Sequence, residues 1–210
     1  MGDHDVDALV NTLRAEVEQP QGREVARTVR TGILAAMDIT EVILHQHAEQ
    51  RRMFTMLEEW PRDDEDGLDA LWKRLEILLE VHAEAEERFF YPELMKLGEG
   101  AGDADSVGEE VEDAIKDHNE IREAIRSVRR CKAGSEKWWE AVVEANVANS
   151  DHMAEEERQD LTDFRQQTTL ALRHGIAVQF LRFEAEHWAT GVKPVDKDPE
   201  EFVEANEPPS

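Results

Sequence analysis

At 210 residues, 40% hydrophobic and 35% charged, the chain suits one well-buried globular domain with small extensions and not a disordered polymer. Forty-nine Asp and Glu against 24 Lys and Arg set the formal net charge at −25. That balance argues against nucleic acid or an anionic membrane as partner, because binding either requires cationic groups that neutralise phosphates. Cys131 is the single cysteine, so no internal disulfide forms. The first residues lack the basic start and apolar stretch of a signal peptide, and no run approaches the roughly 18 apolar residues of a membrane span, so a cytoplasmic location is expected.

Residues 7–18 read as a short helix ended by Pro20 and Gly22, an N-terminal extension over residues 1–22. Apolar residues then recur at three- and four-residue spacing from about Arg23 to Trp60, among them Ile33, Leu34, Val42, Ile43, Phe54 and Leu57. Pro61 and the acidic run to Gly67 break that helix. The second runs from Leu68 to Leu97, with Leu71, Leu75, Leu79 and Phe90 toward the core, and a glycine cluster from Gly98 ends it. Asp105 or Ser106 caps a third helix that reaches about Lys132. After the turn Ala133-Gly134-Ser135 a fourth spans Glu136 to Thr168. A further helical segment, Leu170 to Trp188, precedes a Pro- and acid-rich stretch from Gly191 that is expected to be a flexible tail. Four long helices joined by short turns must alternate in direction. The expected architecture is all-α: an up-down-up-down four-helix bundle over residues 23–168 with short extra N- and C-terminal helices, the latter within 169–190, and a tail over 191–210.

The chemistry lies in a repeat. The first long helix carries His47 and the second His82 with Glu86; the third carries His118 and the fourth His152 with Glu156. The offsets are 118 − 47 = 71, 152 − 82 = 70 and 156 − 86 = 70. Each hairpin thus offers one lone histidine and one His-x-x-x-Glu, whose members lie about 40° apart around a helix and roughly 6 Å along it. Apolar neighbours place His47, His82 and His118 on core-facing stripes, whereas His152 has the more polar neighbours Asn149 and Glu155. Counted from the helix breaks at about 1.5 Å per residue, the four histidines fall within about a turn of one level. Burying so many ionisable groups without partners costs several kcal/mol, and metal ions satisfy them all.

Six ligands in two equivalent sets suit two ions. Imidazole with carboxylate favours iron, with manganese or zinc as alternatives. His47 and His82 are expected to hold one ion and His118 and His152 the other, with Glu86 and Glu156 bridging; Glu155, on the same face, is a candidate extra ligand.

Four stretches, Leu44-His45-Gln46-His47 through Phe54, Val81-His82-Ala83-Glu84-Ala85-Glu86-Glu87 through Tyr91-Pro92, Asp117-His118-Asn119-Glu120, and Asp151-His152-Met153-Ala154-Glu155-Glu156-Glu157-Arg158, resemble the hemerythrin-like family, also called the HHE cation-binding domain. The resemblance covers roughly residues 36–165. It implies a four-helix bundle with a non-haem di-iron centre bridged by carboxylates and an oxo or hydroxo group. Oxygen-carrying hemerythrins place a second histidine four residues after that of the third helix, where this chain has Arg122, and end on His-x-x-x-x-Asp where it has His152-x-x-x-Glu156. These departures argue against reversible dioxygen carriage and for an exchangeable metal position. In a straight helix Tyr91 falls about 140° from Glu86 and reaches the site only if the helix deforms.

The resemblance implies a protein that binds or consumes a small oxidant (dioxygen, hydrogen peroxide or nitric oxide), drawing on an electron donor that the chain does not identify. The alternative from another class is a metal, redox or oxygen sensor that acts through a partner without turnover; a structural zinc bundle is the third. His45, two residues before His47, is expected at the surface. Trp72, Trp138, Trp139 and Trp188 read as core or end-packing residues, Trp60 as a helix end, and His174 and His187 carry no ligand signal.

Overall fold

The computed structural model describes residues 37–101 and 106–208. The helix expected at residues 7–18, the part of the first long helix before residue 37, and Asp105 lie outside them.

Helix α1, Ile39–Glu59, starts where Asp38 accepts the Thr40 amide and stops at Trp60, whose extended backbone is what the following Pro61 demands. Asp64 then caps α2, Glu65–Ala85, accepting the Gly67 amide at 3.0 Å through one oxygen and the Trp60 indole N–H at 3.0 Å through the other. A π-helical turn, Glu86–Phe90, joins α2 to α3, Tyr91–Leu97. Pro92 gives the turn a physical cause: proline has no N–H, and its ring clashes with the carbonyl four residues back in a regular helix. Ser106 caps α4, Val107–Arg129, and Ser135 caps α5, Glu136–Arg158. The turn between them uses Gly134 at φ +76°, a left-handed conformation that glycine adopts without strain.

The fourth helix, expected unbroken to Thr168, is interrupted at Gln159 and resumes as α6, Asp160–Gln167. Helix α7, Leu170–His187, packs along α1 and α2. The stretch from Gly191, expected as a flexible tail, instead leads without regular secondary structure into α8, Pro199–Asn206, packed on α4. The Asn119 side chain fixes it, donating to the Lys197 carbonyl at 2.7 Å and accepting the Lys197 amide at 3.1 Å.

The long units therefore run up, down, up and down, and the described residues form helices without strands. Two apolar clusters fill the bundle. One gathers Ile39, Ile43, Phe90, Ile115 and Phe164; the other gathers Phe54, Leu75, Ile121, Ile125 and Trp138. Each such side chain contributes roughly 1.5–3 kcal/mol on burial. On α1 and α4 the histidine falls between the two clusters in sequence, Ile43 and Ile115 before it and Met53 and Ile121 after it. Trp72 and Trp138 are buried as expected, but Trp188, just beyond the last turn of α7, is 73% exposed among the described residues. No helix among the described residues is long and apolar enough to cross a membrane.

Candidate metal centre

All six expected ligands meet at mid-height and none is more than 3% exposed. The Nε2 atoms of His47 and His82 face each other at 3.2 Å, and those of His118 and His152 at 3.1 Å. His47 Nε2 stands 3.1 Å from Glu156 Oε2. Glu86 spans the two halves, with Oε1 2.9 Å from His82 Nε2 and Oε2 3.3 Å from His118 Nε2. Two groups have donor atoms close enough to surround an ion, His47–His82–Glu86–Glu156 and Glu86–His118–His152, with Glu86 in both.

The Nδ1 partners show that these residues fit metal ions. His47 Nδ1 lies 2.9 Å from Glu157, His118 Nδ1 2.8 Å from Glu87 and His82 Nδ1 2.6 Å from the Gln46 amide oxygen. His152 Nδ1 faces Asp117 at 3.5 Å. The Nδ1–H of His47, His82 and His118 each has an acceptor, so in the neutral imidazole Nε2 turns a lone pair toward its neighbour and toward carboxylate oxygens. Lone pair against lone pair is repulsive. Both oxygens of Glu86 and Oε2 of Glu156 lack a hydrogen-bond donor, as metal-ligating oxygens should.

The outer partners obey the same offsets as the ligands. Glu157 follows Glu87 by 70, Asp117 follows Gln46 by 71, and Arg122 follows Arg51 by 71. Arg51 pairs with Glu157 at 2.8 Å and Arg122 with Glu87 at 2.6 Å, each steadying the carboxylate that holds a lone histidine. Arg122 is thus half of a symmetric pair of carboxylate clamps. Glu87 additionally meets the Lys197 ammonium of the C-terminal segment.

The electrostatics follow. Burial pulls His47 and His118 down, yet the adjoining carboxylates, Glu156 and Glu157 for one and Glu86 and Glu87 for the other, raise both to about 9. Burial wins at His82, which is lowered despite Glu86. Burial pushes Glu86 and Glu87 up, but the histidines overcome it: Glu86 falls well below the usual range, and Glu87, with Arg122 and Lys197 assisting, to about 2. A field that favours protons on imidazoles at mid-bundle also favours metal cations.

Two expectations change. Glu86 is shared as expected, but Glu156 joins only the first group, because its Oε1 accepts the Tyr91 hydroxyl at 3.1 Å. Tyr91 reaches it through the π turn: its amide bonds the Glu86 carbonyl, five residues back, which brings Tyr91 nearly over Glu86 instead of about 140° away. Glu155 is not brought to the set; it is exposed and lies outside both groups, three residues after His152 and so turned about 60° the other way from Glu156. His45 is exposed as expected.

Gln46, Glu87, Asp117 and Glu157 were missed as partners. The repeat offers a signal for them, since each is adjacent in sequence to a ligand and recurs at the ligand offset. Which carboxylate serves which histidine follows no sequence rule, because the bonds cross between helices.

Fold and centre define an all-helical bundle with a histidine–carboxylate cation site at its middle. Residues 38–162 match the family model of the hemerythrin HHE cation binding domain, and the chain belongs to that family. No curated protein and no solved structure matches it in parallel comparisons.

Proposed function

We propose that the chain is a non-haem di-iron protein that binds or turns over a small oxidant: dioxygen, hydrogen peroxide or nitric oxide. Glu86 carries the reading. One carboxylate directs one oxygen to each histidine pair, and neither oxygen has a donor of its own. A carboxylate so shared suits two ions, and the imidazole–carboxylate set suits iron. Bound there, two irons would supply redox chemistry, accepting a small molecule at an open position and sharing its electron changes.

The residues around the centre have distinct tasks. Glu87, Glu157 and Gln46 hold the imidazoles in the tautomer that frees Nε2. Tyr91 keeps its proton, because burial raises it well above its usual range and Glu156 and Glu86 repel the phenolate. That proton is donated to Glu156 Oε1. Phe180 of α7 sits edge-on to His82, ring centroids 6.2 Å apart, and keeps water from that flank.

The test is iron content and ultraviolet–visible spectrum before and after peroxide. Two irons per chain with a peroxide-responsive spectrum are expected, and His82→Ala should lose iron and response together. Retention of two irons by that variant, or stoichiometric zinc that persists after iron reconstitution, would sink the proposal.

The sensor reading has one observation in its favour: segments beyond residues 38–162 touch the centre's surroundings, Phe180 at His82 and Lys197 at Glu87. Negligible peroxide decay, with proteolysis of the C-terminal segment that changes with metal state, would favour it.

A further inference from the structure

We propose that the acid-walled cavity beside His152 is a cation site separate from the two-metal centre, which takes a hydrated divalent metal ion from solution and passes it to the centre. The inference rests on the reading of that centre as a metal site.

The cavity, about 280 Å³, lies between α4 and the α5–α6 unit, with His152 and Glu156 in its wall. Glu110, Asp113, Asp117, Glu155 and Asp160 are among the acids that line it, and Arg158 is the one cationic residue of the lining. Glu110 is 4% exposed; its Oε1 accepts the Ala101 amide at 2.6 Å and its Oε2 has no partner. Asp160 is equally buried, at 4%. Burial raises Glu110 to about 7 and Asp160 well above its usual range; Asp163 adds to the first, Glu156 and Glu110 to the second. Two carboxyls thus sit out of water among charges of their own sign. A cation is the missing complement.

The internal repeat shows that packing does not require these acids. With the offsets of 71 for α4 and 70 for α5–α6, Glu110 corresponds to Ile39 and Asp160 to Phe90, both 0% exposed in the apolar core. Asp113 corresponds to Val42 and Ala114 to Ile43, also buried. One half of the molecule fills this position with large apolar side chains. The other opens it with a small one and lines it with carboxylates, where the fold alone would accept hydrocarbon.

The donor set identifies the ligand class. Carboxylate oxygens and water suit hard divalent ions such as Mg²⁺, Mn²⁺ or Fe²⁺. Among the described residues, donors close enough to enclose an ion occur only at the centre. An ion in the cavity therefore keeps its water and is held weakly, while the imidazoles further in hold it more tightly. The gradient points inward, and the same charge repels anions.

The deciding experiment follows anaerobic Fe²⁺ uptake by the metal-free full-length protein in stopped flow, with the final iron count measured separately. Glu110→Gln/Asp160→Asn should load at least about tenfold more slowly than wild type and reach the same count. Glu109→Gln/Asp113→Asn, confined to exposed rim positions, should also load more slowly and guards against core damage in the first variant. Wild-type uptake should slow with added salt more than uptake by either variant. Wild-type loading rates in both variants would overturn the proposal, as would a reduced count in the first, which would make its residues part of the centre. If wild type bound no iron, the two-metal reading itself would fall. Electron paramagnetic resonance of Mn²⁺ then decides the cavity alone: one ion bound by wild type and lost in Glu110→Gln/Asp160→Asn sustains it, and no difference overturns it.

Discussion

Glu184 shows how far the centre's influence reaches through single side chains. His82 Nδ1 donates to the Gln46 amide oxygen at 2.6 Å, and the Gln46 amide group in turn bonds Glu184 on α7. Burial raises the Glu184 carboxyl from 4.5 to about 7, against the Gln46 bond and with added repulsion from Glu86. The folded protein therefore holds this proton across a window in which the unfolded chain releases it. Stability from this group is fully present below about pH 4.5 and is lost as pH rises through about 7. Glu184→Gln should flatten that part of the curve; melting temperatures of variant and wild type from pH 5 to 8, at equal metal content, check it, and parallel curves would refute it. At this scale the ligands were legible, because helical spacing puts residues four apart on one face. Their Nδ1 partners were not, because Glu157 reaches His47 and Glu87 reaches His118 from other helices.

Among the elements, the π turn at Glu86–Phe90 decides most. An α-helix with one extra residue in a turn places Tyr91 where its hydroxyl reaches Glu156, and Arg88, exposed on that turn, is the residue the widened turn can lose. Deleting Arg88 together with Pro92→Ala, which lifts the ring clash, should return the segment to regular α-helix with Tyr91 still at Glu156. Tyr91 is the chain's single tyrosine, so ultraviolet titration reads it alone. The prediction is that the deletion variant still resists phenol ionisation well above 10, as burial and Glu156 require; ionisation near 10 while the protein stays folded would contradict it. The C-terminal segment is the other element that sequence misjudged. Its Pro and acids resemble a disordered tail, yet Asp196 pairs with Arg126 and Lys197 with Glu87, contacts that exist only once α4 and the π turn stand side by side.

At the scale of the molecule, a net charge of −25 opposes compaction. Local ion pairs relieve little of it, since exposed pairs contribute about 0–1 kcal/mol each. Raising ionic strength from about 0.01 M to about 0.15 M shortens the screening length from roughly 30 Å to 8 Å. The melting temperature should therefore rise by several degrees in calorimetry at fixed metal content; a fall would mean that attractive pairs outweigh the net repulsion.

What the sequence by itself determined is the all-α class, the alternating bundle and the six residues at its middle. Each depends on local periodicity, on breaks at Pro and Gly, and on equal counts of residues from those breaks, all properties of the chain before it folds. Tertiary structure alone decided that Glu86 is shared while Glu156 turns an oxygen to Tyr91, that Glu155 faces out, and that the last residues pack on α4. It also decided which half of the repeat is sealed with Ile39 and Phe90 and which opens on Glu110 and Asp160. These features depend on side chains meeting across helices. A pattern along one helix carries no information about which neighbour its residues will meet.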